Sequence, residues 1–187
     1  MSPLPWSCLL LLALESLVGD PARSQSEAQG GYSVKAAFLY HFANFLVWPA
    51  STFQTTNNRL WLCILGKDPF GHTLEKTLEK KTLRDHAFDI HRNPSRMDLQ
   101  HCHMLYLASA ESPQMETLHH HIAKRDVLTV GEDLEFMRLG GMVRFFVQDQ
   151  KVQFPINPDV THQTKLKVSS KLLRLAKIVS RYSICHF

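Results

Sequence analysis

Residues Gly66 to Thr73 read GKDPFGHT, and the two glycines have the spacing of a loop that cradles phosphates. In such a loop the lysine before the final Ser or Thr reaches the phosphates, and here His72 stands in its place. Asp68 would put a negative charge into the cradle, and Pro69 removes one amide donor from it. Nucleotide hydrolysis is therefore not expected. Eleven histidines invite a metal reading. On a strand, however, His101 and His103 point to one face and Cys102 to the other. His119, His120 and His121 fall about 100° apart around a helix and do not converge. No specific metal site is expected. There is no G-x-S-x-G elbow, and Ser169-Ser170-Lys171 sits in an amphipathic stretch with no paired base. No close pair of carboxylates stands out from the ordinary surface acids. The residues point to a binding protein with no cofactor and no catalytic group, not to an enzyme.

The four cysteines read differently according to where the chain resides. Leu9 to Leu14 is an apolar core, and Ala22-Arg-Ser24 supplies the small residues that a signal peptidase requires. A cleavable signal peptide over residues 1–24 is expected. The alternative is an uncleaved anchor, because no Lys or Arg precedes the apolar core and Glu15 interrupts it. No other run approaches the ~20 apolar residues that cross a bilayer, so the exported domain is expected to be soluble. Cys8 leaves with the leader. In an oxidising compartment a pair among Cys63, Cys102 and Cys185 would bridge. Cys63 and Cys102 lie on predicted strands that could be sheet neighbours, with Cys185 left over. The alternative is that Cys63 is a small buried apolar residue.

The positioning elements follow from hydrophobic pattern. Leu60–Leu65 is a continuous apolar run bounded by Gly66, as suits a strand buried on both faces. A helix follows from about Phe70 to Lys80. Strands are expected at His86–His91, Met104–Leu107 and Asp126–Val130, with helices from Ser112 to Lys124 and from Glu132 to Leu139. Met142–Val147 and Val152–Ile156 alternate as an antiparallel hairpin, placed at a sheet edge because Pro155 cannot donate to a ladder. Residues 25–31 read as a flexible lead-in, and Tyr32–Val47 as a strongly apolar helix stopped by Pro49. A last amphipathic helix is expected over Lys165–Arg181, with a tail at 182–187. The whole is one α/β domain over 32–181, a mainly parallel sheet flanked by helices with that hairpin at one edge.

In sheets of this kind ligands sit in the loops after the parallel strands, so Asp68, Phe70, Ser109 and Glu132 are the candidate ligand residues. Phe38, Tyr40, Phe45 and Trp48 are the candidate partner or dimer surface on the apolar helix. A formal charge of +4 with 20% charged residues gives no concentrated basic surface, so no nucleic-acid partner is expected.

Several ordered stretches resemble the YfiR-like family of bacterial periplasmic proteins. They are YSVKAAFLYHFANFLVWP at 32–49, LWLCILGKDPFG at 60–71, HCHMLYLA at 101–108 and VLTVGE at 127–132. GGMVRFFVQDQKVQFPIN at 140–157 and LKVSSKLLRLAKIV at 166–179 complete the series. The resemblance covers nearly all of the chain beyond the leader; His119–His121 and the tail with Cys185 are its least typical parts. It implies a non-catalytic periplasmic regulator that binds an inner-membrane diguanylate cyclase and holds it inactive. Release would raise cyclic-di-GMP and promote biofilm and exopolysaccharide. It also implies a homodimer, and a disulfide between Cys63 and Cys102. A small-molecule sensor for another membrane signalling protein is the alternative.

Overall fold

The computed structural model describes residues 21–49, 51–109, 111, 117–118, 122 and 125–178. Most of the expected leader, His119–His121 and Cys185 lie outside the described residues. So does most of the helix read from Ser112.

Helix α1 runs Pro21–Phe45 and therefore starts before Tyr32. The stretch 25–31, read as a flexible lead-in, is helical. Gln25, Glu27, Ala28 and Gln29 are good helix formers and outweigh the cost of Gly30-Gly31. The helix ends two residues before Val47, and the Trp48 indole N–H donates to the Ala43 carbonyl at 2.8 Å. Leu46–Val47 leaves as strand β1.

The later strands are β2 Leu60–Leu65, β3 Thr82–Leu83, β4 His86–Arg92, β5 Met104–Leu107, β6 Leu128–Gly131 and β7 Val143–Arg144. They continue with β8 Phe146–Gln148, β9 Lys151–Gln153, β10 Pro155–Ile156, β11 Lys167–Val168 and β12 Lys177–Ile178. The further helices are α2 His72–Leu78, α3 Leu134–Arg138, α4 Pro158–Thr161 and α5 Ser170–Leu175. Eight strands form one sheet in the order β12-β10-β7-β6-β5-β2-β4-β3. The pairs β4–β2, β2–β5, β5–β6 and β6–β7 are parallel, and β3–β4 and β7–β10 are antiparallel. The fold is the expected α/β one.

Alternation along β2 divides the core between the two sheet faces. Leu60, Leu62 and Ile64 meet α1 through Ala36, Leu39, Phe42 and Ala43, and α2 through Leu74 and Leu78. Cys63 turns the other way, into a smaller cluster with Leu105, Leu107, Leu118, Ile122 and Phe136. There it is joined to Cys102 by a disulfide across a Cα–Cα distance of 5.8 Å. Phe136 is fully buried beneath Gly131 and Gly141, where a Cβ on either glycine would overlap its ring.

Two readings of the C-terminal third need correction. Over 165–178 the single helix read as far as Arg181 is replaced by β11, α5 and β12. Val168 pairs with Leu46, the Ser169 side chain caps α5 by accepting from Leu172 N, and Ala176 returns to extended backbone. The i, i+4 stripe of apolar residues was therefore not one helical face. The hairpin exists, but it is not the outermost element. Its base enters the sheet as β7 and β10, and β12 then pairs parallel with β10. Pro155 is accommodated as the first residue of its strand. Buried Phe145 and Phe154 interrupt the ladders, and the tip continues as a separate ribbon of β8 and β9. Its turn residues Asp149 and Gln150 have φ of 51° and 58°.

Candidate functional site

The loops after β2, β4, β5 and β6 gather at the carboxyl end of the parallel strands. The first turns at Gly66, whose φ of 86° favours glycine and whose missing Cβ leaves room for Glu111. Gly66 N–H donates to Asn93 Oδ1 at 2.8 Å, which ties this loop to the one after β4. Asp68 then accepts twice. Oδ1 takes the Phe70 N–H at 2.8 Å, and Oδ2 takes Arg92 Nε at 2.7 Å. Arg92 also reaches Glu75 Oε1 at 2.6 Å and the Gly71 carbonyl at 3.3 Å. These carboxylates, with burial opposing them, hold the guanidinium above its usual range. Where a phosphate loop would present amides, this loop presents a neutralised ion pair.

The Asp68 turn drives Phe70 inward. Its ring is fully buried, 4.8 Å from Tyr106 and 5.5 Å from Tyr32, edge-on to both. Tyr106, on β5, donates its hydroxyl to Glu132 Oε1 at 2.5 Å. Glu132, just past β6, offers its other oxygen to Lys35 Nζ of α1 at 2.8 Å. The Lys35 ammonium also lies over the Tyr32 ring, 4.2 Å from its centre. Burial first, then the Glu132 charge and hydrogen bond, push both tyrosine hydroxyls upward, Tyr106 far upward. Both phenols therefore stay protonated donors at any physiological pH.

This arrangement binds α1 to the sheet and leaves little for chemistry. Glu132 accepts from Lys35, Tyr106 and Tyr32, so it is not a free general base. Of the four candidate ligand residues, Asp68, Phe70 and Glu132 come together through Tyr106, whereas Ser109, in the loop after β5, is exposed. Lys35, Tyr32, Tyr106 and Arg92 were missed. Lys35 had a legible signal, because it falls on the stripe of Ala36, Leu39 and Phe42 where a charge needs a buried partner.

The four aromatic residues of the candidate partner surface do not share a face. Phe38 packs toward the hairpin, with its ring 4.9 Å from Phe154. Tyr40 lies about 200° further round the helix, 5.9 Å from Phe88 and under Lys81 Nζ. Phe45 stacks on His41, and Trp48 is buried. Among the described residues no three His, Cys, Asp or Glu side chains are grouped to hold a metal ion. His101 and His103 do not share a strand face, since His101 ends a 3-10 turn and His103 precedes β5. His103 is buried; its Nδ1 accepts the Trp61 N–H at 2.8 Å and its Nε2 donates to the Thr52 carbonyl at 3.0 Å. No helix among the described residues is long and apolar enough to cross a membrane.

The YfiR/HmsC-like family model matches residues 32–177, and the chain belongs to that family. No curated protein matches the chain.

Proposed function

We propose that this protein is an exported regulator that binds the periplasmic part of an inner-membrane diguanylate cyclase and represses it. The family match over 32–177 carries the reading. The Cys63–Cys102 disulfide supports it, since such bridges persist in oxidising compartments such as the bacterial periplasm. A signal peptide within residues 1–24 would deliver the chain there. The carboxyl-end site supports a binding role over a catalytic one, because its carboxylate and both phenols already satisfy one another. The alternative of a small-molecule sensor has less support: Phe70 is buried and Glu132 is engaged, so a ligand would first have to displace Lys35.

Affinity purification of the tagged protein from crosslinked cell envelopes tests the proposal. A membrane protein with a diguanylate cyclase domain should be recovered. Recovery of envelope proteins with no such domain, at matched expression, would reject it.

A further inference from the structure

A pocket opens at the amino end of the parallel strands, the opposite end of the sheet from the loops that hold Asp68 and Glu132. It measures about 440 Å³ and lies between the turns of residues 51–58 and the two-residue turn that joins β3 to β4. Pockets of this size hold small organic molecules. The floor is apolar: Trp48 and Leu83 are buried, and the half-buried Phe53 ring stacks on His86 with centroids 3.9 Å apart. The mouth is polar. Gln54, Asn57 and Arg84 are exposed there, and none of the nine lining residues is acidic. Hydrogen bonds set these walls before any ligand arrives. The buried Thr56 hydroxyl donates to the Arg59 carbonyl at 2.6 Å, and Asn58 N–H donates to the Phe53 carbonyl at 3.3 Å. His86 Nδ1 donates to the Asn58 carbonyl at 3.0 Å and so latches one turn to the other.

Arg84 is out of keeping with its place in the backbone. The β3–β4 turn gives Arg84 a φ of 46° and Asp85 one of 73°, a conformation that favours Asn-Gly and gains nothing from arginine. In the facing turn Asn57 and Asn58 have φ of 50° and 62°. Four of the seven non-glycine residues with positive φ among the described residues thus frame this one pocket. Left-handed backbone at such residues gathers at binding sites, where the surroundings hold the strain in place. The Arg84 guanidinium also has no internal use, since it makes no hydrogen bond or ion pair among the described residues. Arg59 and Arg92, by contrast, are each met by a carboxylate. Asp85, the next residue, does not line the pocket. A guanidinium fork matches a carboxylate through two parallel hydrogen bonds, and the exposed carboxamides add further N–H donors.

We infer that the pocket between residues 51–58 and the β3–β4 turn binds a small organic carboxylate, with its apolar ring against Phe53 and its charge on Arg84. The inference concerns a ligand and stands independently of the membrane partner proposed above.

Two-dimensional amide NMR of the oxidised protein, titrated with phenylacetate, tests it. Signals of Phe53, Asn57 and Arg84 should move together and saturate with a Kd of about 1 mM, the range for so small a ligand. Phenylacetamide keeps the ring and loses the charge, and should bind roughly tenfold more weakly. Arg84→Gln should lose the response, whereas Arg96→Gln, also exposed but outside the pocket, should retain it. Arg84→Gly should lose the response too, yet unfold at the same denaturant concentration or a higher one, because glycine takes the positive φ without strain. The inference is overturned by the absence of a saturable response to phenylacetate, by an equal response to phenylacetamide, or by a full response in Arg84→Gln.

Discussion

Replacing Glu132 with alanine should be among the most damaging single changes to this domain. The Lys35 side chain is 7% exposed and that of Glu132 is 18% exposed, so their ion pair is largely shielded from water. Removing the carboxylate leaves the ammonium desolvated without a counter-charge, which costs about 3–5 kcal/mol. The same change strips the acceptor from the Tyr106 hydroxyl. For a domain of this size each kcal/mol lowers Tm by about 2–4 °C, so the expected loss is roughly 6–20 °C. Replacing both charges, as Lys35→Met with Glu132→Leu, should recover most of it. Buried ion pairs exchanged for apolar residues of similar volume are often neutral in stability. Chemical unfolding of the oxidised protein, run as a double-mutant cycle, supplies the numbers. A loss below about 1 kcal/mol for Glu132→Ala, or a double variant as unstable as the single one, would refute the idea that this pair pins α1 to the sheet.

Three other outcomes follow from the packing. Cys63→Ser with Cys102→Ser, or reduction of the natural chain, should cost about 4 kcal/mol by loop closure across a separation of 39 residues. Unfolding measured with and without reductant checks it. His103 is held below the ordinary imidazole range, first by burial and further by His86 and His101, against the Thr52 carbonyl. Its contribution is complete above the unfolded value near 6.5 and is lost as pH falls from there toward the lower folded value. Stability of the natural chain should therefore decline across that window, and His103→Gln should flatten the decline. Gly141→Ala would press a Cβ into the buried Phe136 ring and should cost about 1–3 kcal/mol, whereas Gly30→Ala meets open space and should not destabilise. Denaturant midpoints of the two variants distinguish them.

The parts of the fold that were legible are those written in strictly local pattern. Leu60–Leu65 and Met104–Leu107 are short, continuous apolar runs, the first closed by Gly66, and the structure gives them those same limits. The disulfide is expected from the reading of the chain as exported and from the family resemblance, and Cys63 does bridge Cys102. Cys102, expected to open a strand, instead closes the 3-10 turn just before β5. The C-terminal third was misread because Val168, Leu172, Leu175 and Val179 imitate one helical stripe. What breaks the stripe is non-local: Leu46 claims Val168 as a strand partner, and β10 claims Lys177 and Ile178. The same reason hid the network around Glu132. Lys35, Phe70, Tyr106 and Glu132 are spread over about a hundred residues, and only the sheet brings them together. Phe70 in particular reads as a loop residue, and only the Asp68 turn reveals that it points inward.

The central claim is that the protein restrains a cyclic-di-GMP synthase from outside the cytoplasm. Intracellular cyclic-di-GMP, measured after removal of the gene and again after its return, addresses that claim most directly. Removal should raise the level, the natural chain should restore it, and a Cys63→Ser/Cys102→Ser chain should restore it less well. An unchanged level in the deletion strain, with the cyclase expressed, would contradict the account.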